Sequence, residues 1–424
     1  MRWKLEDTPE QAKFRAEFVD WLKKQLPEGW IEAIEAGDDE AFSKARRGWD
    51  FMRWSKTIGD SGYGAPLWPN EYGGLSGEVW MQQITREELG KHRLPTIGLN
   101  ILGVGLAGPT LIAHGNEEQK KRYLKKIITS EEIWCQLFSE PGSGSDLASV
   151  STRAEKDGDE WVVNGQKVWT SIAQASHYGM LLARTNPDVP KHEGLTYFIV
   201  DMKSEGVEVR PLRQMTGSAE FNEVYFTGVR IPDENRVGQI GEGWTVSRTT
   251  LMNERVALSG FAVGGEGGSR RGGGDAFGGG TSARSPWDRF LDGLTDRKDT
   301  RLRQNVAQIY IEQETKEITS FRASLARRTG QPGPEGGVSK VFNAELNQRR
   351  TAFAMNAAGV GAIAWAPGDR AAEARATAFL RARGNTIEGG TSEVLRNQMG
   401  ERILGLARDV DADRGVPWKD VKRS

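Results

Sequence analysis

A single cysteine, Cys135, excludes an internal disulfide framework and any metal site built from several thiolates. The four histidines, His92, His114, His177 and His192, never fall three or four residues apart. A His-based metal centre or a Ser-His-Asp triad is therefore not expected. No apolar run approaches the roughly 18 residues needed to cross a bilayer, and the segment Met1 to Asp7 is charged rather than signal-like. Charge of one sign is lacking too. With 57 Lys and Arg against 58 Asp and Glu, the net charge is -1, so neither nucleic acid nor an anionic membrane is expected as the main partner. These absences lead us to expect a metal-free protein of the reducing cytoplasm with no membrane span.

What is present is length enough, at 424 residues, for two or three domains and a large core. Residues 8–128 carry a helical period, with Pro9 near the first helix start and Phe14, Phe18, Trp21 and Leu22 on one face. Residues 62–74 are too rich in Gly and Pro for a helix; helices follow over 75–89 and 97–114, and Asn116 caps another over 117–128. Near Ile133 the pattern shifts to short β-branched and aromatic runs over 134–236. Asn164-Gly165, between Glu160-Trp161-Val162-Val163 and Gln166-Lys167-Val168-Trp169, predicts a hairpin turn. The loop Glu140-Pro141-Gly142-Ser143-Gly144-Ser145-Asp146 lacks the third glycine of a dinucleotide fingerprint and does not open a helix, which excludes a Rossmann unit. After Gly243 the helical period returns and runs to Leu406. It is interrupted by a glycine-rich stretch at 264–280, read as a flexible loop or as an anion-binding loop using Arg270 and Arg271. Further helices are predicted over 299–327, 338–365 and 371–381. The last begins after Glu388-Gly389-Gly390 with Thr391 or Ser392 as its cap. The periodicity supports an α–β–α order and an α+β multidomain fold class: a helical domain (1–130), an all-β domain (131–240), a second helical domain (241–408) and a tail (409–424).

One residue stands against its surroundings. Within Leu251-Met252-Asn253-Glu254-Arg255-Val256-Ala257-Leu258, Glu254 places a carboxylate in an otherwise apolar helical run beside an arginine. An ionised carboxylate withdrawn from water has its pKa raised unless it is compensated, which suits a proton acceptor working near neutral pH. The same octapeptide also fits an amphipathic helix with Glu254 and Arg255 turned to solvent.

The α–β–α order, the EPGSGSD loop, NGQKVWTS, EGGTSEVLRN and the terminal GERILGL together resemble the acyl-CoA dehydrogenase family of flavoproteins over residues 7–408. The resemblance implies an N-terminal helical domain, a middle β-barrel and a C-terminal four-helix bundle, with FAD as cofactor. The cofactor would lie along Gln136-Leu137-Phe138-Ser139, so that Gln136, Phe138 and the Ser139 hydroxyl are cofactor contacts, with Ser145 reaching flavin or the CoA part of the substrate. Trp169 and Ser171 would flank the isoalloxazine, and Thr391 and Glu393 would touch flavin and adenine-side groups. Many members place the catalytic Glu immediately before the Gly-Thr of the last helix start, where this chain has Gly389. A smaller set, resembling isovaleryl and long-chain enzymes, places it on a bundle helix before an arginine, as Glu254-Arg255 does. Glu254 is thereby expected to be the base, with Glu388 as the other candidate; Arg255 would order the substrate or form a structural salt bridge, and the Gly389 N–H would meet the thioester carbonyl.

The implied reaction is α,β-dehydrogenation of an acyl-CoA to a trans-2-enoyl-CoA. Glu254 takes the α-proton and flavin N5 takes the hydride, with electrons passing to an electron-transfer flavoprotein, as in fatty acid or lipid catabolism and β-oxidation. A homo-oligomer, dimer or tetramer, or a heteromer with a related subunit is implied. The Arg-x-x-Phe-Gly element that reaches the FAD pyrophosphate in the family has no clean counterpart, leaving Arg284, Arg289 or Arg303 for that contact. The adenine-side loop is altered to Asn356-Ala357-Ala358-Gly359-Val360. The C-terminal half resembles a bacterial branch acting on bulky alicyclic or steroid side-chain thioesters. Two other readings stay open from sequence: an oxygen-reactive oxidase or monooxygenase of the same fold, and a non-catalytic subunit of a heteromeric dehydrogenase.

Overall fold

A computed structural model describes residues 6–95, 100–263, 291, 298–328, 335–408, 410 and 413–421. Arg270, Arg271, Arg284 and Arg289, and the glycine-rich stretch 264–280, lie outside the described residues, as does the side chain of Arg255. The chain divides into two compact units: Phe51–Gly77, Ile97–Ala257 and Ala407–Ser424 form one, and Met1–Asp50, Glu78–Thr96 and Leu258–Leu406 form the other.

The first of these is built on an eight-stranded sheet. Its strands are β1 (Trp134–Leu137), β2 (Arg153–Asp157), β3 (Glu160–Ser171), β4 (Tyr178–Arg184), β5 (Leu195–Asp201), β6 (Val207–Leu212), β7 (Phe221–Pro232) and β8 (Arg236–Val237). The order is β6-β7-β3-β2-β4-β5-β8, with β1 parallel to β4. Side chains alternate between faces along a strand, and here each face has its own core. Met180 and Leu182 of β4 join Tyr197 and Ile199 of β5 in one cluster, while Leu181 and Ala183 join Phe198 and Val200 in the other. Burial on both faces explains why β4 and β5 read as nearly continuous apolar runs rather than alternating ones.

The turn predicted at Asn164-Gly165 is not there. The chain runs straight through as β3, and the reversal between β2 and β3 falls at Gly158 instead. Between the pairs Val163–Val229 and Gly165–Phe226, two β7 residues, Thr227 and Gly228, face the single Asn164, so the bulge lies on β7, where Gly228 takes a φ of 63°. Asn164 Oδ1 accepts from Gly228 N at 2.8 Å, and a Cβ at Gly165 would sit 2.5 Å from Thr152 Oγ1. An Asn-Gly pair can also run extended, and the strands on both sides of β3 hold it so.

In the same unit, α4 (Phe51–Asp60), α6 (Gly108–His114), α7 (Glu117–Ile128) and most of α8 (Gly243–Val263) are the helices. Asn116 and Gln119 close a capping box at the start of α7. The helix expected over 97–114 is only partly regular, because a π turn at Gly103–Ala107 precedes α6. Helix α4 meets α7 at Gly59, where a Cβ would lie 2.2 Å from Ile128 O. Gly59→Ala should therefore destabilise the protein by about 1–3 kcal/mol, as overpacking does, and a denaturant titration giving an unshifted midpoint would show that α4 can retreat.

The second unit contains α1 (Pro9–Gln25), α2 (Trp30–Ala36), α3 (Asp39–Ala45), α5 (Val79–Lys91), α9 (Thr300–Arg328), α10 (Glu335–Ala357), α11 (Arg370–Ala382) and α12 (Ser392–Arg402). Arg15 of α1 ties α5 through Glu87 at 3.0 Å and Glu88 at 2.6 Å. Ile309, Leu346 and Phe353 form the buried contact of α9 with α10. Helix α10 stops at Ala357 rather than at Trp365, because Gly359 takes a φ of 54° that a helix cannot continue. Helix α5 starts at Val79, four residues later than expected, after Ser76 turns to a positive φ. No helix among the described residues is long and apolar enough to cross a membrane, and no group of His, Cys, Asp and Glu among them could hold a metal ion.

Candidate active site

Gln136 of β1 and Glu254 of α8 come together in the first unit. Gln136 Nε2 donates to Glu254 Oε2 at 3.3 Å, across 118 residues of sequence, and both side chains are half-buried. Glu254 is thus a carboxylate held against the strand that continues into Phe138 and Ser139.

That strand is in turn fastened to the NGQKVWTS segment. Val168 N donates to Ser139 O at 2.9 Å. Lys167 Nζ donates to Phe138 O at 3.0 Å and to Glu140 Oε1 at 2.8 Å, with Lys167 wholly buried and Glu140 nearly so. Glu140 also accepts from Ser151 N at 2.7 Å, Ser151 Oγ at 2.8 Å and Thr152 N at 2.8 Å. Burial by itself would push the Glu140 carboxyl up, but the Lys167 charge and these donors outweigh it and hold the group down at about 2. Burial pushes the Lys167 ammonium down, in part offset by Glu140. This pair is the principal feature that sequence reasoning missed. The alternation Trp161, Val163 continues to Lys167 on the buried side, but taking Asn164-Gly165 for a turn breaks the count.

On the outer side of the same segment, Trp169 is 57% exposed, held at a φ of 60°, with its ring edge-on to Phe221. Trp169 lies in a bulge of β3, where Val168 and Trp169 face a single β7 residue between the pairs Lys167–Val224 and Thr170–Asn222. The half-buried hydroxyls of Ser139 and Ser171 make no hydrogen bond among the described residues, and Thr170 Oγ1 is buried without a partner. An open indole face with nearby uncommitted hydroxyls is a donor set that fits a planar heteroaromatic ring carrying acceptor atoms. Phe138 offers less than its position suggested, since its ring is buried edge-on against Tyr197, leaving its backbone as the usable part. Ser145 is exposed on a loop whose Asp146 is paired with Lys191 at 2.9 Å.

The remaining predicted residues belong to the other unit. Thr391 is the cap of α12, its hydroxyl accepting from Val394 N at 3.1 Å, and Glu393 is exposed in the first turn. Gly389 has a φ of 64° and donates no backbone hydrogen bond among the described residues. Glu388 has both carboxylate oxygens engaged: Arg381 donates to them at 3.2 and 2.7 Å, and Asn385 Nδ2 donates at 2.7 Å. A carboxylate so bound is a poor proton acceptor. Arg303 is exposed on α9.

Comparison with known proteins assigns the chain to a family. Three family profiles match in succession: acyl-CoA dehydrogenase N-terminal domain over residues 8–131, middle domain over 135–229 and C-terminal domain over 293–404. Acyl-CoA dehydrogenase FadE34 of Mycobacterium tuberculosis is 37% identical over 83% of this chain, which spans 46% of that relative's length. Acyl-CoA dehydrogenase IpdE1 of the same organism is 35% identical, covering 94% of this chain and 98% of its own. Among solved structures, the Tcur3481-Tcur3483 steroid ACAD has a TM-score of 0.72 and 27% identity over 96% of this chain and 100% of its own. The ChsE4-ChsE5 complex from Mycobacterium tuberculosis gives 0.69 and 29% over 96% of this chain and 100% of its own. With the three domains matched in order and a relative aligned from end to end, the chain belongs to the acyl-CoA dehydrogenase family, whose members are flavoprotein oxidoreductases.

Proposed function

We propose that the chain removes hydrogen across the α,β bond of an acyl-CoA thioester, with Glu254 as the α-proton acceptor. The observation that carries this reading is the 3.3 Å contact between Gln136 and Glu254. It sets the candidate base of the first unit beside the strand that the resemblance places along the flavin. FAD, when bound, supplies the acceptor for the β-hydride. Ser139, Ser171 and Trp169 would hold it, by hydroxyl hydrogen bonds and by the indole face, and Lys167 with Glu140 would keep the two holding segments in register. Gln136 would orient the Glu254 carboxylate by donating to Oε2. Loss of that proton places negative charge on the thioester oxygen, so a donor aimed there lowers the barrier. Roles for the Gly389 N–H at that oxygen, for Arg255, and for Ser145, Thr391 and Glu393 toward substrate and cofactor rest on the resemblance alone.

The product would be a trans-2-enoyl-CoA, and the electrons would pass to an electron-transfer flavoprotein. A bulky ring-bearing acyl group is favoured because a solved structure at 27% identity is described as a steroid ACAD. Association into a homo-oligomer or a heteromer fits α9, which exposes Ile311 (57%), Ile318 (43%) and Leu325 (45%) at intervals of seven residues along one side. The lone Cys135 is buried with its thiol pushed up to about 12 by burial, which suits a cytoplasmic protein that makes no use of thiol chemistry.

Anaerobic titration of the purified yellow protein with straight, branched and alicyclic acyl-CoAs tests the reading. At least one should bleach the flavin and release its 2-enoyl product. A flavin that none of them bleaches would refute the reaction, and oxygen consumption without an acceptor protein would point instead to an oxidase. Trp169→Ala should lower FAD retention through gel filtration by severalfold, since it removes the exposed indole face. Unchanged FAD content would show that the indole does not hold the ring.

A further inference from the structure

Three buried hydroxyls converge on α8 one turn before Glu254. Thr250 is fully buried, and its Oγ1 lies 2.9 Å from Thr110 Oγ1 of α6 and 3.2 Å from Tyr197 OH of β5. Thr110 in turn donates to Leu106 O at 2.8 Å. The protons can be assigned without conflict: Tyr197 donates to Thr250, Thr250 to Thr110, and Thr110 to a backbone carbonyl. Burial pushes the Tyr197 phenol up, so it keeps the proton it donates. Beside this chain, Thr249 Oγ1 meets His114 Nε2 at 2.7 Å and Thr249 O accepts from Asn253 Nδ2 at 2.9 Å.

The surroundings are apolar: Leu106, Leu111, Tyr197 and Val246 belong to one core cluster. Packing alone leaves a helix free to rotate or slide slightly, because neighbouring apolar contacts have similar energies. Thr250 Oγ1 also lies 3.3 Å from Val246 O of its own helix and Thr110 keeps Leu106 O, whereas Tyr197 OH depends on Thr250. A shift of α8 that parts Thr250 from Tyr197 leaves the buried phenol without that partner, at a cost of about 1–3 kcal/mol. Residues four apart on a helix share a face, so whatever fixes Thr250 fixes the direction of Glu254.

We propose that Thr250, with Thr110 and Tyr197, is a positioning residue that sets the rotation of α8 and so the aim of the Glu254 carboxylate. The inference rests on Glu254 being the base. A displacement of about 1 Å at a reacting group costs on the order of 10²-fold in rate, so losing the chain lowers the rate of proton removal and leaves binding in place.

The test uses the full-length, FAD-loaded protein and the thioester that bleaches it fastest. Proton removal is read separately with that thioester's 3-thia analogue, whose β-position is sulfur and has no hydride to lose. Exchange of its α-hydrogens into D₂O then reports the base alone. Thr250→Val should keep FAD content and apparent thioester affinity within about twofold, slow bleaching and α-exchange together by on the order of 10–10²-fold, and recover most of the rate in Thr250→Ser. Normal exchange and bleaching in a folded Thr250→Val would overturn the proposal, as would losses that Thr250→Ser fails to restore. Where Thr250→Val does not fold, Tyr197→Phe takes its place: slowed exchange with FAD and thioester binding kept supports the positioning role, and normal exchange overturns it. The reading of Glu254 has its own control. If Glu254→Gln retains α-exchange, the base lies elsewhere, whereas exchange lost in Glu254→Gln but normal in Thr250→Val removes only the positioning role.

Discussion

Glu254→Gln should leave the flavin absorbance intact while slowing thioester-dependent bleaching by on the order of 10²–10⁴-fold, the usual worth of a general base. The substitution is nearly isosteric. Gln136 Nε2, which donates to Glu254 Oε2 at 3.3 Å, would find an amide oxygen in the same place. The side chain's position should therefore survive, and what disappears is the capacity to take a proton. Absorbance spectra of the purified variant and single-turnover reduction by the preferred acyl-CoA decide the matter. Retained bleaching would shift attention to Glu388, and it would require that carboxylate to leave the guanidinium of Arg381 and the amide of Asn385 that now occupy it. The geometry makes that exchange costly, so the two candidates left open by the sequence are separable by one substitution.

The second large effect is expected at Lys167. Lys167→Met would leave the Glu140 carboxylate buried without its counter-charge, and breaking a buried pair by removing one partner costs about 3–5 kcal/mol. It would also remove the donor to Phe138 O, one of the links that hold the 136–140 segment to β3. Stability in denaturant and FAD content should fall together. A Lys167→Met variant that melted like the unmodified protein would mean that Glu140 is compensated by the Ser151 and Thr152 donors alone. Acid adds an independent check. Glu140 ionises at about 2 when folded, against 4.5 for its ordinary value. A depressed carboxyl contributes stability that is complete above the ordinary value and is lost as the pH falls through the folded one. Unfolding measured between pH 4.5 and pH 2 should show this loss, and Glu140→Gln should flatten that part of the profile.

Of these two residues, Glu254 stood out in the sequence and Lys167 did not. Asn116 as a helix cap, Thr391 as another, and the apolar runs of β4 and β5 could all be read from the chain, because each depends on neighbours a few residues away. Asn164-Gly165 could not be resolved in the same manner. An Asn-Gly pair can reverse the chain or run extended, and only the presence of β2 and β7 on either side of β3 chooses between them. The end of α10 was legible in principle, since Gly359 marks it, but the apolar period carries on past that residue and hides the break.

The sequence by itself determined the family, the order of helices and strands, and the short list of acids from which a base could be drawn. Motif spacing is a local property, and it survives without coordinates. Tertiary structure decided that Glu388 meets Arg381 and Asn385 and that Glu254 meets Gln136. It also decided that Lys167 is buried against Glu140, and that Thr110, Tyr197 and Thr250 meet. Those pairings join residues up to 140 positions apart, and nothing in local pattern records a contact made only when separate elements pack together.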